Sequence, residues 1–174
     1  THMAFNPMSL RMKGSLQTCA SQLAKCELFA GGVSEARPFT SGVKLARWEY
    51  CTYVVAESAA SAAGSYGNQL WLSTDIPLHS GAGSRVNVKN VTLVYDSRRL
   101  ILVRLKMKHI RVLFLVAHGP HYDSANADAA DTFWDLVQTQ TEKHSRPWET
   151  IVLFTDANAQ VSSDKIQCIE HALP

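Results

Sequence analysis

The sequence predicts an α/β sandwich in one domain, on three observations. Residues 90–95, 100–107 and 110–117 are β-rich runs separated by short polar breaks, the spacing of an antiparallel meander. Helical apolar periodicity recurs on either side of further strand-like segments, so meander and α–β alternation are mixed. The chain has 174 residues, of which 46% are hydrophobic and 18% charged, enough for one sizeable core and too few for two comfortable ones.

Residues 4–10 form a short, mostly apolar segment carrying Asn6, a candidate first strand. Residues 1–3 read as a cloning remnant and are set aside, so the domain is taken as residues 4–174. Gly14-Ser15 then opens a helix with Ser15 as N-cap, because Leu16, Cys19, Ala20 and Leu23 recur at i, i+3, i+4 and i+7. Residues 27–33 are a second apolar segment, running into Ser34-Glu35-Ala36-Arg37. Residues 50–56 are rich in Tyr, Thr and Val and read as a strand. A loop of small residues at 57–67 leads to the strand-like QLWLS at 69–73, and a Gly/Ser loop follows around 79–84. Of the meander strands, the third contains VLFLVA, apolar at every position, which predicts a central strand buried on both faces. It ends in His118-Gly119-Pro120-His121. Residues 125–143 are helical, with Ala127, Ala130, Phe133, Trp134 and Val137 on one face and Pro147 beyond the end. The last strand, residues 150–155, runs into Asp156-Ala157-Asn158.

Composition bounds the function. A net charge of +2 means that any affinity for nucleic acid must come from a local patch. Nearly half of the 17 Lys and Arg residues fall within residues 85–111, a candidate basic strip that could equally be the solvated faces of the meander. Cys19, Cys26, Cys51 and Cys168 have neither C-x-x-C nor zinc-finger spacing and read as reduced thiols of an intracellular protein. No apolar run reaches the roughly 18 residues of a membrane span, so no membrane association is expected.

Glu35, His118 with His121, and Asp156 with Asn158 each follow closely after a strand-like run, and Asn6 sits inside another. Taken singly, each has a plain explanation: a surface glutamate, loop histidines, Asx-turn residues. If the strands are neighbours, their ends bring carboxylates, carboxamides and a histidine into one cleft. Such a set suits a hard divalent cation, since Mg²⁺ takes one or two carboxylates plus waters and substrate phosphate, with the second carboxylate left to orient an attacking water. That is chemistry for phosphate-ester hydrolysis.

The ordered stretches AFNPMSL, GGVSEAR, GNQLWLS, RRLILVRL, VAHGPH and LFTDANAQV span nearly the whole chain. In that order they resemble the endonuclease/exonuclease/phosphatase superfamily, and within it the endonuclease domains of non-LTR retrotransposons. The resemblance implies a DNA-nicking endonuclease that uses Mg²⁺, with Mn²⁺ as an alternative, acts on DNA, needs no obligate protein partner and works in the nucleus if it is a retrotransposon protein. Glu35 is similar to the family's metal-ligand glutamate, with Asn6 supporting the same metal and phosphate site. Asp156 resembles the aspartate that orients the nucleophilic water, and Asn158 the asparagine at the scissile phosphate. His118 stands where many relatives place a tyrosine, and Arg37 and His121 complete the expected substrate side.

The chain departs from the family in carrying Ser34 before the glutamate and Thr155 before the aspartate. It also shows no Ser-Asp-His motif after Asn158, since Ser163-Asp164-Lys165 is not that motif and His171 follows Asn158 too closely. The expectation is therefore a domain truncated at its carboxyl end, with weak or no activity. Two other functions stay open on the same residues: a phosphatase of inositol phosphates or phospholipids, and a non-catalytic nucleic-acid-binding relic.

Overall fold

Successive side chains leave opposite faces of a strand, so the near-continuous apolar runs bury both faces of each sheet, one against the other sheet and one against a helix. The computed structural model describes residues 2–5, 10–77, 85–121 and 127–158. Its elements run β1 (His2–Phe5), α1 (Ser15–Lys25), β2 (Ala30–Val33), β3 (Gly42–Trp48), β4 (Cys51–Glu57), β5 (Gln69–Ser73), β6 (Val91–Asp96), β7 (Leu100–Lys106), β8 (Arg111–His118), α2 (Ala127–His144) and β9 (Thr150–Asp156). Among the described residues one sheet has the order β1-β2-β5-β4-β3 and the other β6-β7-β8-β9. β1 with β2 and β8 with β9 are parallel. The remaining neighbours are antiparallel, so β6 to β8 form the expected meander.

Val54, Ala56, Leu70 and Leu72 point between the sheets and meet Ile101, Val103, Leu105, Phe114, Val116 and Phe154 from the other side. Tyr53, Val55 and Trp71 point the opposite way and are covered by Cys19, Ala20 and Leu23 of α1. Leu100, Leu102, Leu113 and Leu115 likewise face Phe133 and Val137 of α2. The layers are therefore helix, sheet, sheet, helix, the α/β sandwich that the sequence predicts. A fully buried Leu or Phe in such a core contributes roughly 1.5–3 kcal/mol of transfer free energy.

Gly32 decides how closely the sheets meet at the end that matters. A Cβ built there would lie 2.3 Å from Cβ of Phe154, so only glycine lets β2 approach β9 at this point.

Several boundaries differ from the sequence expectation. His2 and Met3, set aside as a remnant, pair with Ala30 and Gly31 in β1. Asn6 and residues 7–9 lie outside the described residues. α1 has Gly14, not Ser15, at its N-cap, with no side-chain cap, and the Ser15 hydroxyl donates to the Met12 carbonyl. Leu16 is exposed rather than part of the apolar face. β3 escapes the sequence reading because Lys44, Arg47 and half-buried positions give it no clean alternation. An outer strand of a sheet tolerates that composition.

Candidate active site

β2, β8 and β9 all end, in the direction of the chain, at the same edge of the sandwich, and the expected site residues sit at those ends. Glu35 follows β2 by two residues and holds φ of 53°, a left-handed conformation uncommon for a residue with a side chain. Arg37 (56°), Tyr66 (65°) and Asn158 (48°) share that conformation. They are linked: Arg37 N–H donates to the Tyr66 carbonyl at 3.1 Å, and the Tyr66 ring lies 6.0 Å from that of His118. Each such residue costs roughly 1 kcal/mol or more, and such costs cluster where a site must hold a set geometry.

His118 is the last residue of β8 and is buried. Its Nε2 lies 3.9 Å from Oε1 of Glu35. Burial pushes the imidazole pKa below its ordinary value and Arg99 adds to this, while the carboxylates of Glu35 and Asp156 act against it. The ring is therefore held toward its neutral form at physiological pH.

Asp156 is paired in register with His118 across the parallel β8–β9 ladder, so the two side chains leave adjacent strands on the same face. β9 stops there. At Asn158 the chain turns. Its N–H donates to Oδ1 of Asp156 at 3.3 Å, an Asx-type turn, and its Nδ2 donates to the Gly119 carbonyl at 2.9 Å. The turn and the site are one feature: the Asx bond orients the carboxylate, and the carboxamide ties the β8 loop to the β9 loop. Gly119 is needed for that closeness. Its N–H donates to the Asp156 carbonyl at 2.8 Å, and a Cβ there would stand 2.5 Å from the Ala157 carbonyl oxygen.

The structure thus brings Glu35, His118, Asp156 and Asn158 together. Arg37 is half-buried, its carbonyl accepting from Arg11 Nε at 2.7 Å, and its own Nε is a buried donor without a described partner. His121 is exposed beyond the end of β8. Asn6 lies outside the described residues. Sequence reasoning missed the supporting residues. Arg99 donates to the carbonyls of His118 and Gly119 at 3.2 and 3.1 Å, and its Cζ lies 4.1 Å over the Tyr66 ring. In the sequence Arg99 belongs to a polar turn between strands, and nothing in that turn distinguishes it from Arg98. The basic strip is likewise divided: Arg104 is engaged by both carboxylate oxygens of Glu149, at 2.6 and 3.2 Å.

No protein-family model matches the sequence, and no curated protein matches it. Solved structures do. The endonuclease domain of TRAS1, a telomere-specific non-LTR retrotransposon, superposes with a TM-score of 0.55 at 13% identity, over 87% of this chain and 57% of that one. This chain has the fold of the endonuclease/exonuclease/phosphatase type. The D. rerio TDP2 structure complexed with a single-strand DNA product gives a TM-score of 0.52 at 12% identity, over 91% of this chain and 60% of that one. Truncated Caenorhabditis elegans TDP2 gives 0.53 at 13%, over 91% and 62%. The chain thus spans between 57% and 62% of the length of these solved chains, and at such identities the likeness is one of fold.

A divalent metal is what the family resemblance implies for this cleft. Among the described residues no three His, Cys, Asp or Glu side chains gather as a metal-binding group. Mg²⁺ does not require three: one or two carboxylates suffice, with water and substrate phosphate completing an octahedron. Glu35, about one-fifth exposed at its side chain, and Asp156, half-buried, offer hard oxygens beside His118. The residues present fit a weakly held hard cation with Glu35 as its protein ligand.

Proposed function

We propose that this chain carries the phosphodiester-hydrolysing site of a DNA-nicking endonuclease of the retrotransposon kind, dependent on Mg²⁺ with Mn²⁺ as an alternative. The observation that carries the reading is the convergence of Glu35 on the register pair His118–Asp156, at the carboxyl ends of three strands of a nuclease fold. A bound cation, held by Glu35 and in our reading by Asn6, would supply charge neutralisation at the phosphate.

The remaining roles belong to the chain itself. Asp156, its carboxylate steadied by the Asn158 N–H, accepts a hydrogen bond from the attacking water and orients it. Asn158 Nδ2 spends one hydrogen on the Gly119 carbonyl and keeps a second for a phosphate oxygen. Arg99 holds the carbonyls of His118 and Gly119, keeping β8 and its loop in register with Asp156. Arg37 and His121 stand on the substrate side. DNA as the substrate is supported by the TDP2 structure that contains a single-strand DNA product and by the retrotransposon endonuclease domain.

The test is nicking of supercoiled plasmid with Mg²⁺, beside EDTA and Glu35→Ala controls. Weak nicking that both controls abolish is expected. Nicking that survives Glu35→Ala would remove Glu35 from the site, and release of phosphate from inositol phosphates without nicking would move the substrate to the phosphatase reading.

A further inference from the structure

Among the buried polar atoms near the site without a described hydrogen-bond partner are Nδ1 of His118 and Oδ1 of Asn68. Leaving such an atom unsatisfied costs about 1–3 kcal/mol, so each calls for an explanation. Asn68 immediately precedes β5 and is fully buried. It alternates in phase with Leu70 and Leu72, which point between the sheets. His118 alternates in phase with Phe114 and Val116 of β8, which point into the same space from the other sheet. The two polar side chains therefore enter the inter-sheet layer from opposite sides.

Asn68 is held there firmly. Its N–H donates to Ser58 Oγ at 3.1 Å and its carbonyl accepts from Ser58 N–H at 3.0 Å. Its Nδ2 donates to the carbonyl of Val116 at 3.3 Å, two residues before His118. That bond decides which end of the carboxamide is which, because a carbonyl can only accept. Oδ1 is left as an acceptor in the layer that His118 occupies.

We infer that Asn68 is a positioning residue for His118: its Oδ1 takes the Nδ1–H of the imidazole through one enclosed water and so holds the Nε2 lone pair toward Glu35. A water joining buried groups of this kind is an ordinary structural element of a protein interior. The far side of the ring agrees. At 3.9 Å, Nε2 and Oε1 of Glu35 are beyond hydrogen-bond reach, so Glu35 does not hold a proton on Nε2. The consequence for turnover rests on the function proposed above. A ring protonated at Nδ1 presents an acceptor to the cleft, so His118 takes a hydrogen bond from the water that Asp156 also orients. It does not donate one to the phosphate.

The test is the tautomer of His118, read from imidazole ¹⁵N shifts at pH 8, where the ring is neutral, and assigned with His118→Gln. The wild-type protein is expected to show the protonated-nitrogen signal on Nδ1; a proton on Nε2 overturns the inference. Asn68→Ala is expected to lose that single tautomer. An unchanged Nδ1–H in Asn68→Ala overturns the inference as well. Should that variant fail to fold, the wild-type spectrum decides. The readout needs no turnover, so failure of the nuclease reading would leave this result standing, and the reverse holds equally.

Discussion

β8 and β9 deliver paired residues to one site, yet they are built differently. β8 is buried along Leu113–His118 and lies between two neighbours; β9 is the outer strand of its sheet among the described residues, with Ile151 and Leu153 each about half exposed. Only Phe154 of β9 is fully sunk, stacked 6.1 Å from Phe114. His118 is thus placed by a strand packed on both faces. Asp156 is placed by one aromatic anchor two residues earlier and by the Asx turn that follows. A site can combine a rigid half and an adjustable half, and variants in the two strands should behave accordingly.

The largest effect should come from Leu115→Asp in β8. Leu115 is 2% exposed and faces α2, so an unpaired carboxylate there should cost at least about 4 kcal/mol and unfold the domain. Loss of the cooperative thermal transition would show it. Asp156→Ala in β9 should divide differently: nicking falls by about 10²–10⁴-fold while stability changes by about 1 kcal/mol. Equal nicking by this variant would overturn the role given to Asp156. Gly32→Ala should act on the anchor, since its methyl group must displace Phe154; overpacking of this kind costs about 1–3 kcal/mol, and nicking should fall with it because Asp156 follows two residues later. Leu153→Thr, on the exposed face of β9, should change stability by about 0.5 kcal/mol or less in chemical denaturation. A much larger loss would show that β9 depends on packing as heavily as β8 does.

The smallest effect concerns pH. The folded state holds His118 below its ordinary value of 6.5, chiefly by burial, so the unfolded chain binds that proton first. Its contribution to stability is therefore full above pH 6.5 and falls as pH drops from there toward the lowered folded value. Melting temperature should fall more steeply from pH 7.5 to 5 in the wild type than in His118→Gln.

Much of this was legible in the sequence because the signal was local. VLFLVA in β8, QLWLS in β5 and the Phe133–Val137 face of α2 each carry their own periodicity or apolar run. β3 was not legible, since an outer strand with Lys44 and Arg47 buries too little to impose alternation. The same holds for the N-cap of α1, where Gly14 stands one residue before the serine that the capping rule favours.

Strand periodicity and strand-end polarity are properties of short segments, so the layered fold and the candidates Glu35, His118, Asp156 and Asn158 could be read along the chain. Tertiary structure alone decided the rest. That His118 faces Asp156 is a matter of strand register, that Arg99 grips the β8 carbonyls is a matter of which turn lies beside which, and that Asn68 reaches Val116 joins residues 48 positions apart on opposite sheets. Pairings of that kind arise from packing two sheets face to face, and no short stretch of chain contains them.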